Sequence, residues 1–267
     1  MFYFLCMTAD FIFWIFFGLF FGSFATMVSY RLFYENFSHP LRPLPCHHCG
    51  HERKIWDAIP FFSWIFFRGK CAYCHHSLSL IHPATVIFST GFFLWVWFSV
   101  AASASFGYQF FLLITAAFAM FLWTYDTWFM TVDRRISWPA IFFAIFMIWY
   151  LGHIPWADAI SGALLGGGFY ALQYGIPKIF LKKNPWVGLG DVELGIFMGL
   201  CLGFFHTLGA LFLAYFLGFF YALPLLIFAR AKRNTPLPMG AFLMPAFLIF
   251  LTAGDKIFHG YFSLFIF

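Results

Sequence analysis

The sequence predicts an all-α polytopic membrane protein of about eight transmembrane helices with one cytosolic, zinc-ribbon-like loop. Three observations carry that expectation. The 267 residues are 63% hydrophobic and only 9% charged, against roughly 25% charged residues in a soluble domain. So few charges cannot cover a water-facing surface, which makes the bilayer the main solvent. Apolar runs of helix-spanning length recur along the chain, and all but one of the basic residues fall on alternate connections between them. The formal net charge of +5 is therefore scattered over four short clusters and forms no nucleic-acid patch. The 45 phenylalanines read as packing and lipid-facing bulk.

The spans follow in order. Phe11–Tyr30 has neither the basic start nor the A-x-A-like site of a cleavable signal, so it is expected to be a retained first span. Arg31–His82 is the only long polar insert. Seven spans are expected after it: Pro83–Ser105, Tyr108–Thr131, Ile136–Leu151, Ala157–Leu181, Pro185–Phe205, Thr207–Ala229 and Met239–Ala253. The chain thus divides into a first span (1–30), a loop (31–82) and a seven-span domain (83–267).

Charge partition orients these spans. Arg31, Arg42, Arg53, Lys54, Arg68 and Lys70 lie in or beside the first loop. Arg134 and Arg135 follow span three, Lys178, Lys182 and Lys183 close span five, and Arg230, Lys232 and Arg233 follow span seven. Fourteen of the 15 basic residues thus share one side, with Lys256 alone outside. The positive-inside rule makes that side cytosolic and places both termini on the other.

Charged groups at membrane depth cost about 2.5–3.5 kcal/mol on insertion scales, so each asks for a reason. Asp10, Asp158 and Asp255 sit at outer span edges, where water accounts for them, and Glu35, Glu52 and Asp57 belong to the polar loop. Asp126 lies in W-T-Y-D-T-W-F-M-T, five residues from the cytosolic end of span three, or roughly 8 Å deep. Asp191 lies in G-L-G-D; a helix starting near Pro185, a residue suited to a first turn, places it about 9 Å in. Two helices thus carry carboxylates to like depth from one side. Such a pair is what aspartyl proteolysis needs, with one acid ionised to take a proton from water and the other protonated to polarise the scissile carbonyl. Gly188 and Gly190 permit a close backbone approach beside Asp191. Glu193 points about 200° around the helix from Asp191 and cannot share its face. Asp133 reads as a solvated acid beside Arg134 and Arg135.

The loop holds C-H-H-C at Cys46–Cys49 and C-A-Y-C at Cys71–Cys74. Two C-x-x-C pairs at this separation suit a tetrathiolate zinc site, and cytosolic thiols stay reduced. Four thiolates close the site, so zinc there is structural, and His47, His48, His51, His75 and His76 read as polar loop residues. G-A-L-L-G-G-G at Gly162–Gly168 lies inside an apolar span with no preceding strand, and reads as close helix packing. P-L-P-M-G-A-F-L at Pro236–Leu243 opens the last span; spacing alone does not fix its relation to the carboxylates.

These pieces resemble the bacterial prepilin peptidases, or type IV leader peptidases. The resemblance rests on G-S-F at Gly22–Phe24 with Arg31-Leu32, the tetracysteine loop with I-P-x-x-S-W at Ile59–Trp64 and R-G-K-C at Arg68–Cys71, and Pro83. It continues through Asp126 with I-S-W-P at Ile136–Pro139, G-L-G-D-V-E-L with Gly199 and Gly203, and P-M-G-A-F-L. It implies an inner-membrane enzyme of type IV pilus or type II secretion systems, acting on prepilin or pseudopilin substrates in contact with membrane lipid and not on nucleic acid. Asp126 and Asp191 occupy the peptidase positions, and many members also methylate the new N-terminus from S-adenosylmethionine. Three positions depart from the family pattern. Its Pro-Asp or Pro-Asn reads Asp133-Arg134 here, its Lys after the second aspartate is Glu193, and an acid expected shortly after Pro83 is Val86. Two other readings stay open. One is a presenilin-like intramembrane aspartyl protease, echoed by Tyr125-Asp126, G-L-G-D and Pro245–Phe247. The other is a proton-coupled transporter whose acids relay protons.

Overall fold

A computed structural model of the chain describes residues 2–34, 46, 48–50, 66–71, 73–77, 81–101, 105–182, 184–228 and 237–265. His47, His51, the Ile59–Trp64 motif and the basic residues Arg42, Arg53, Lys54, Lys183, Arg230, Lys232 and Arg233 lie outside them. Regular structure among the described residues is helical, apart from one isolated bridge between Lys70 and Ser77. The chain divides into two compact units, Met1–Ala104 and Ser105–Phe267.

The first unit pairs α1 (Phe2–Tyr34) with α2 (Ile81–Val96), whose end widens into one π-helical turn, Trp97–Ala101. The helices meet through small residues. A Cβ on Gly22 would stand 2.9 Å from the Val86 Cα, and one on Gly18 2.7 Å from the Thr90 Cα, so the backbones approach closely. Phe17 and Phe21 then pack edge-on against Phe93. The hydroxyls of Thr26 and Thr90 donate to carbonyls one turn back, at 2.8 and 2.9 Å. That satisfies a polar group inside an apolar helix without a second chain segment.

The second unit holds α3 (Phe106–Phe129), α4 (Arg134–Leu151), α5 (Trp156–Ile179), α6 (Leu189–Ile227) and α7 (Gly240–Phe265). α3 ends where Met130 turns left-handed at φ 52° and its N–H closes on the Asp126 carbonyl at 2.8 Å. Three residues on, Asp133 caps α4 by accepting the Arg135 N–H at 2.8 Å. Gly152, at φ 57°, stops α4 in the same left-handed way.

The closest packing joins α5 and α6 as an antiparallel seam of glycines. A Cβ on Gly166 would strike the Gly195 backbone, and one on Gly162 the backbones of Gly199 and Gly203. Each step of four residues along α5 therefore meets a step of four back along α6. Small residues let the backbones touch where lipid offers no hydrophobic drive for association.

At Gly203 the backbone leaves the helix (φ 73°, ψ −175°), and the chain reverses. Tyr215, beyond the break, reaches back along α5 to bond Gln173 and to meet Phe169 edge-on. The 39 residues of α6 are thus a helical hairpin with both arms against α5.

Among the described residues, four helices are long and apolar enough to cross a membrane: Phe11–Tyr34, Phe106–Phe129, Leu189–Ile227 and Gly240–Gly260, with Pro83–Ser99 shorter. The chain is a multi-pass, all-α membrane protein. Expected spans six and seven are the two arms of α6, and they part at Gly203, three residues before the break expected at His206. The element also starts at Leu189 rather than near Pro185, because Gly188 is extended (φ −78°, ψ 160°) and acts as the cap.

Candidate active site

Asp126 and Asp191 are both buried, at 4% and 9% exposure, although they stand at helix ends. Asp126 occupies the last turn of α3 and Asp191 the first turn of the α6 hairpin. The depth of about 9 Å expected for Asp191 does not hold along its own helix; as the third helical residue it lies about 3–4 Å from the start.

Local chemistry explains both placements. Gly188 has no side chain with which to cap α6, so Asp191 reaches back and its Oδ2 accepts the Gly188 N–H at 2.8 Å. That closes half of a capping box and puts negative charge at a helix N-terminus, where the dipole favours it. Gly190 is needed for another reason. A Cβ there would collide with the Val132 side chain, so the turn after α3 rests on the first turn of α6. The close approach expected at this glycine serves the chain's own turn, and it brings the two acid-bearing helix ends together.

Asp126 is held from a third direction. The backbone N–H groups of Gly240 and Ala241 point to its carboxylate, and a Cβ on Gly240 would stand 2.8 Å from Oδ2. The Trp123 indole fixes the same turn by donating to the Ala241 carbonyl at 3.1 Å. The segment P-M-G-A-F-L therefore sits against the first aspartate, which spacing alone did not show. Asp126 Oδ2 is buried with no hydrogen-bond partner among the described residues, and the two carboxylates lie within electrostatic reach of each other.

The other acids have different partners. Glu193 turns to α4, where Arg134 Nε donates to it at 3.0 Å and the Ser137 hydroxyl makes a second, short hydrogen bond. Two departures from the family pattern thus pair with each other, and Glu193 stays off the face of Asp191. Asp133 is less solvated than expected. It caps α4 and binds the Arg135 guanidinium at 3.0 Å. Burial pushes its carboxyl up, but the hydrogen bonds and charge of Arg135 outweigh this and hold it below the usual range. Asp158 is more than a solvated edge acid, because its Oδ1 accepts the Phe204 N–H at 2.9 Å and caps the second arm of the hairpin. Asp255 pairs with His206 at 3.2 Å.

One neighbour carried no sequence signal. Tyr170 is fully buried, and its hydroxyl lies within electrostatic reach of Asp126, Asp191 and Tyr215. A tyrosine in a Phe-rich apolar span offers nothing that singles it out.

In the first unit, the sulfurs of Cys46, Cys49, Cys71 and Cys74 lie within 4.8 Å of one another, with Cys46 and Cys74 3.8 Å apart. Tetrahedral coordination at about 2.3 Å per Zn–S bond requires sulfur separations of roughly 3.8 Å, so the four thiols fit one closed metal site. The two knuckles are alike. In each, the residue after the second cysteine is left-handed (Gly50 at φ 67°, His75 at φ 55°) and its N–H returns to the carbonyl of the first cysteine. His48 stacks on His76 at 4.5 Å, beside the cluster rather than within it.

Residues 16–100 match the family described as the bacterial peptidase A24 N-terminal domain, and residues 113–223 the type IV leader peptidase family. The chain is 26% identical over 220 residues to a prepilin leader peptidase/N-methyltransferase of Stutzerimonas stutzeri, covering 81% of this chain and 73% of that protein. It is 24% identical over 262 residues to one from Pseudomonas putida, covering 90% of each. A third, from Aeromonas salmonicida, is 24% identical over 218 residues, covering 82% of this chain and 74% of the relative. No solved structure matches the chain. The chain belongs to the type IV leader peptidase, or prepilin peptidase, family. That membership favours the peptidase reading over a presenilin-like protease or a proton-coupled transporter.

Proposed function

We propose that this protein is a membrane aspartyl endopeptidase that removes the leader from type IV prepilins or pseudopilins at the cytosolic membrane face. The observation that carries this reading is the meeting of two buried carboxylates, Asp126 and Asp191, from separate helix ends, in a chain of the prepilin peptidase family. In a low dielectric two neighbouring acids do not both ionise, and they share a proton. Oδ2 of Asp126 suits the shared proton, because it is buried and no donor among the described residues bonds to it. The ionised partner takes a proton from the attacking water while the protonated one polarises the scissile carbonyl, and the roles reverse as the amine leaves.

The finer topology belongs to the same reading. The chain crosses a bacterial inner membrane eight times, the basic connections are cytosolic and both termini are periplasmic. Cys46, Cys49, Cys71 and Cys74 hold a structural zinc ion, since four thiolates leave no coordination position for substrate. The relatives are named as N-methyltransferases too, and we extend to this chain a methylation of the new pilin N-terminus from S-adenosylmethionine. The described residues offer no group assignable to that donor, and the peptidase chemistry needs none.

The test is co-expression with a prepilin and mass spectrometry of the pilin N-terminus, beside Asp126→Asn and Asp191→Asn. Wild type is expected to cut and both variants to leave the leader in place. An intact leader with wild type, or cleavage by either variant, refutes the reading. A cut but unmethylated terminus removes the second activity alone. Metal analysis of the purified protein is expected to give one zinc per chain, lost in Cys46→Ser with Cys71→Ser.

A further inference from the structure

The glycine seam fixes more than helix packing, because its register continues into the aspartate site. Asp158 meets Gly203, Gly162 meets Gly199 and Gly166 meets Gly195. One further helical turn along α5 and one back along α6 bring Tyr170 level with Asp191, and Gln173 level with Gly188. The side chain at that level is a phenol in complete burial, and its hydroxyl faces that of Tyr215 without closing a well-formed hydrogen bond among the described residues.

A buried hydroxyl short of a full hydrogen bond costs up to about 1–3 kcal/mol, and a phenylalanine would fill the same space without that cost. The second arm of the hairpin supplies the setting. The Tyr215 hydroxyl donates to Gln173 Oε1 at 2.9 Å, and the Gln173 amide nitrogen is itself buried without a partner. Tyr170, Gln173 and Tyr215 thus form a polar cluster inside an apolar helix group, on the α5 side of the acids. Electrostatic reach from the Tyr170 hydroxyl extends to both carboxylates.

We propose that Tyr170 is a positioning residue of the aspartate pair, its hydroxyl presented toward the carboxylates from the α5 side to donate to them in the substrate-bound enzyme, while Tyr215 and Gln173 hold the ring in place. The inference rests on the aspartyl peptidase reading above. The groups facing the Tyr170 hydroxyl are Asp126 from α3 and Asp191 and Tyr215 from α6, and Asp126 is itself held by the backbone N–H groups of Gly240 and Ala241 from α7. A donor on a carboxylate fixes its orientation and favours its ionised form. Removing that donor is expected to disturb the acids and not substrate binding, which a KM-against-kcat comparison reads.

The experiment is steady-state cleavage of a purified prepilin by the full-length enzyme in detergent, comparing wild type, Tyr170→Phe, Tyr215→Phe and Asp191→Asn. Tyr170→Phe is expected to lower kcat about 10-fold or more with KM unchanged within twofold. It should also move the acidic limb of the kcat–pH profile upward by half a unit or more. Tyr215→Phe, which removes the neighbouring hydroxyl at a partly exposed position, is expected to lower kcat about threefold and keeps the idea testable should Tyr170→Phe misfold. Wild-type kcat and an unmoved profile in whichever tyrosine variant folds overturn the proposal. Cleavage by Asp191→Asn instead removes the aspartyl reading, and the positioning role with it.

Discussion

The seam between α5 and α6 ends in an aspartate at each extremity, and the two ends behave differently. At one, Asp158 meets Gly203 and spends its Oδ1 on the Phe204 N–H, capping the helix that starts after the break. At the other, Asp191 also caps a helix, through the Gly188 N–H. There, however, a second acid and a buried tyrosine lie within electrostatic reach of the carboxylate. The same side chain at a helix start is thus a sufficient structural device at Asp158 and only half of the description at Asp191. What separates them is company: an acid that merely caps has no reason to gather other ionisable groups in a buried space.

Replacing each acid by its amide gives the largest contrast. Asn accepts a backbone N–H as well as Asp does, so both changes preserve the caps and remove only charge and proton exchange. Asp191→Asn is expected to cost about a thousandfold or more in prepilin cleavage, with little loss of stability. Asp158→Asn should cleave at near the wild-type rate. Asp158→Ala, which leaves the Phe204 N–H without its partner, is expected to lose about 1 kcal/mol of stability with activity per folded molecule retained. Cleavage kinetics beside thermal unfolding in detergent separate these cases, and a dead Asp158→Asn enzyme breaks the comparison.

Much of this was legible in one dimension, for physical reasons that also explain what was missed. Asp126 and Asp191 stood out because charge inside an apolar run is costly and therefore informative. Gly162 to Gly168 announced close packing because small residues have no other use in a lipid-facing helix. The packing partner was not legible, since Gly195 and Gly199 are spaced like any glycines in a span. The reversal at Gly203 and the start at Leu189 depend on backbone angles, which hydropathy does not sense. Tyr170 and Tyr215 were hidden among the aromatic residues; only the register between two helices gives them a place. The pairing of Arg134 with Glu193 joins two family departures far apart in sequence, which no local pattern connects.

The seam itself sets the next effect. A Cβ on Gly195 would strike the Gly166 backbone, whereas one on Gly168 meets nothing within 4 Å. Gly195→Ala is therefore expected to cost about 1–3 kcal/mol by overpacking, and to slow cleavage as Tyr170 and Asp191 move apart. Gly168→Ala should be neutral or stabilising by up to about 1 kcal/mol, through the unfolded chain's entropy. Equal effects at the two glycines would show that the register does not govern the site.

A smaller effect tests whether Glu193 holds or acts. Its side chain is 12% exposed while that of Arg134 is 69% exposed, so the pair is screened from one side and worth about 1 kcal/mol or less. Glu193→Arg is expected to lose about that much stability, and Arg134→Glu with Glu193→Arg to recover it. Cleavage should follow stability throughout. A loss of kcat that the swapped pair does not rescue would move Glu193 from the structural acids to the working ones.

Asp133 completes the contrast at the smallest scale, as an acid wholly committed to holding structure. Its carboxylate caps α4 and binds Arg135, and the arginine holds its pKa below the ordinary carboxylate value. A depressed pKa contributes stability that is present above the unfolded value of about 3.9 and is lost as pH falls through the folded one. Because Arg135 is largely exposed, that contribution is about 0.5–1 kcal/mol. Asp133→Asn keeps the cap and removes the charge, so its unfolding midpoint should lie below that of wild type near pH 7 and converge on it as the pH falls below the ordinary carboxylate range. A variant that tracks wild type throughout would mean that the guanidinium contributes nothing. The cap alone would then be the whole use of this acid, as it is of Asp158.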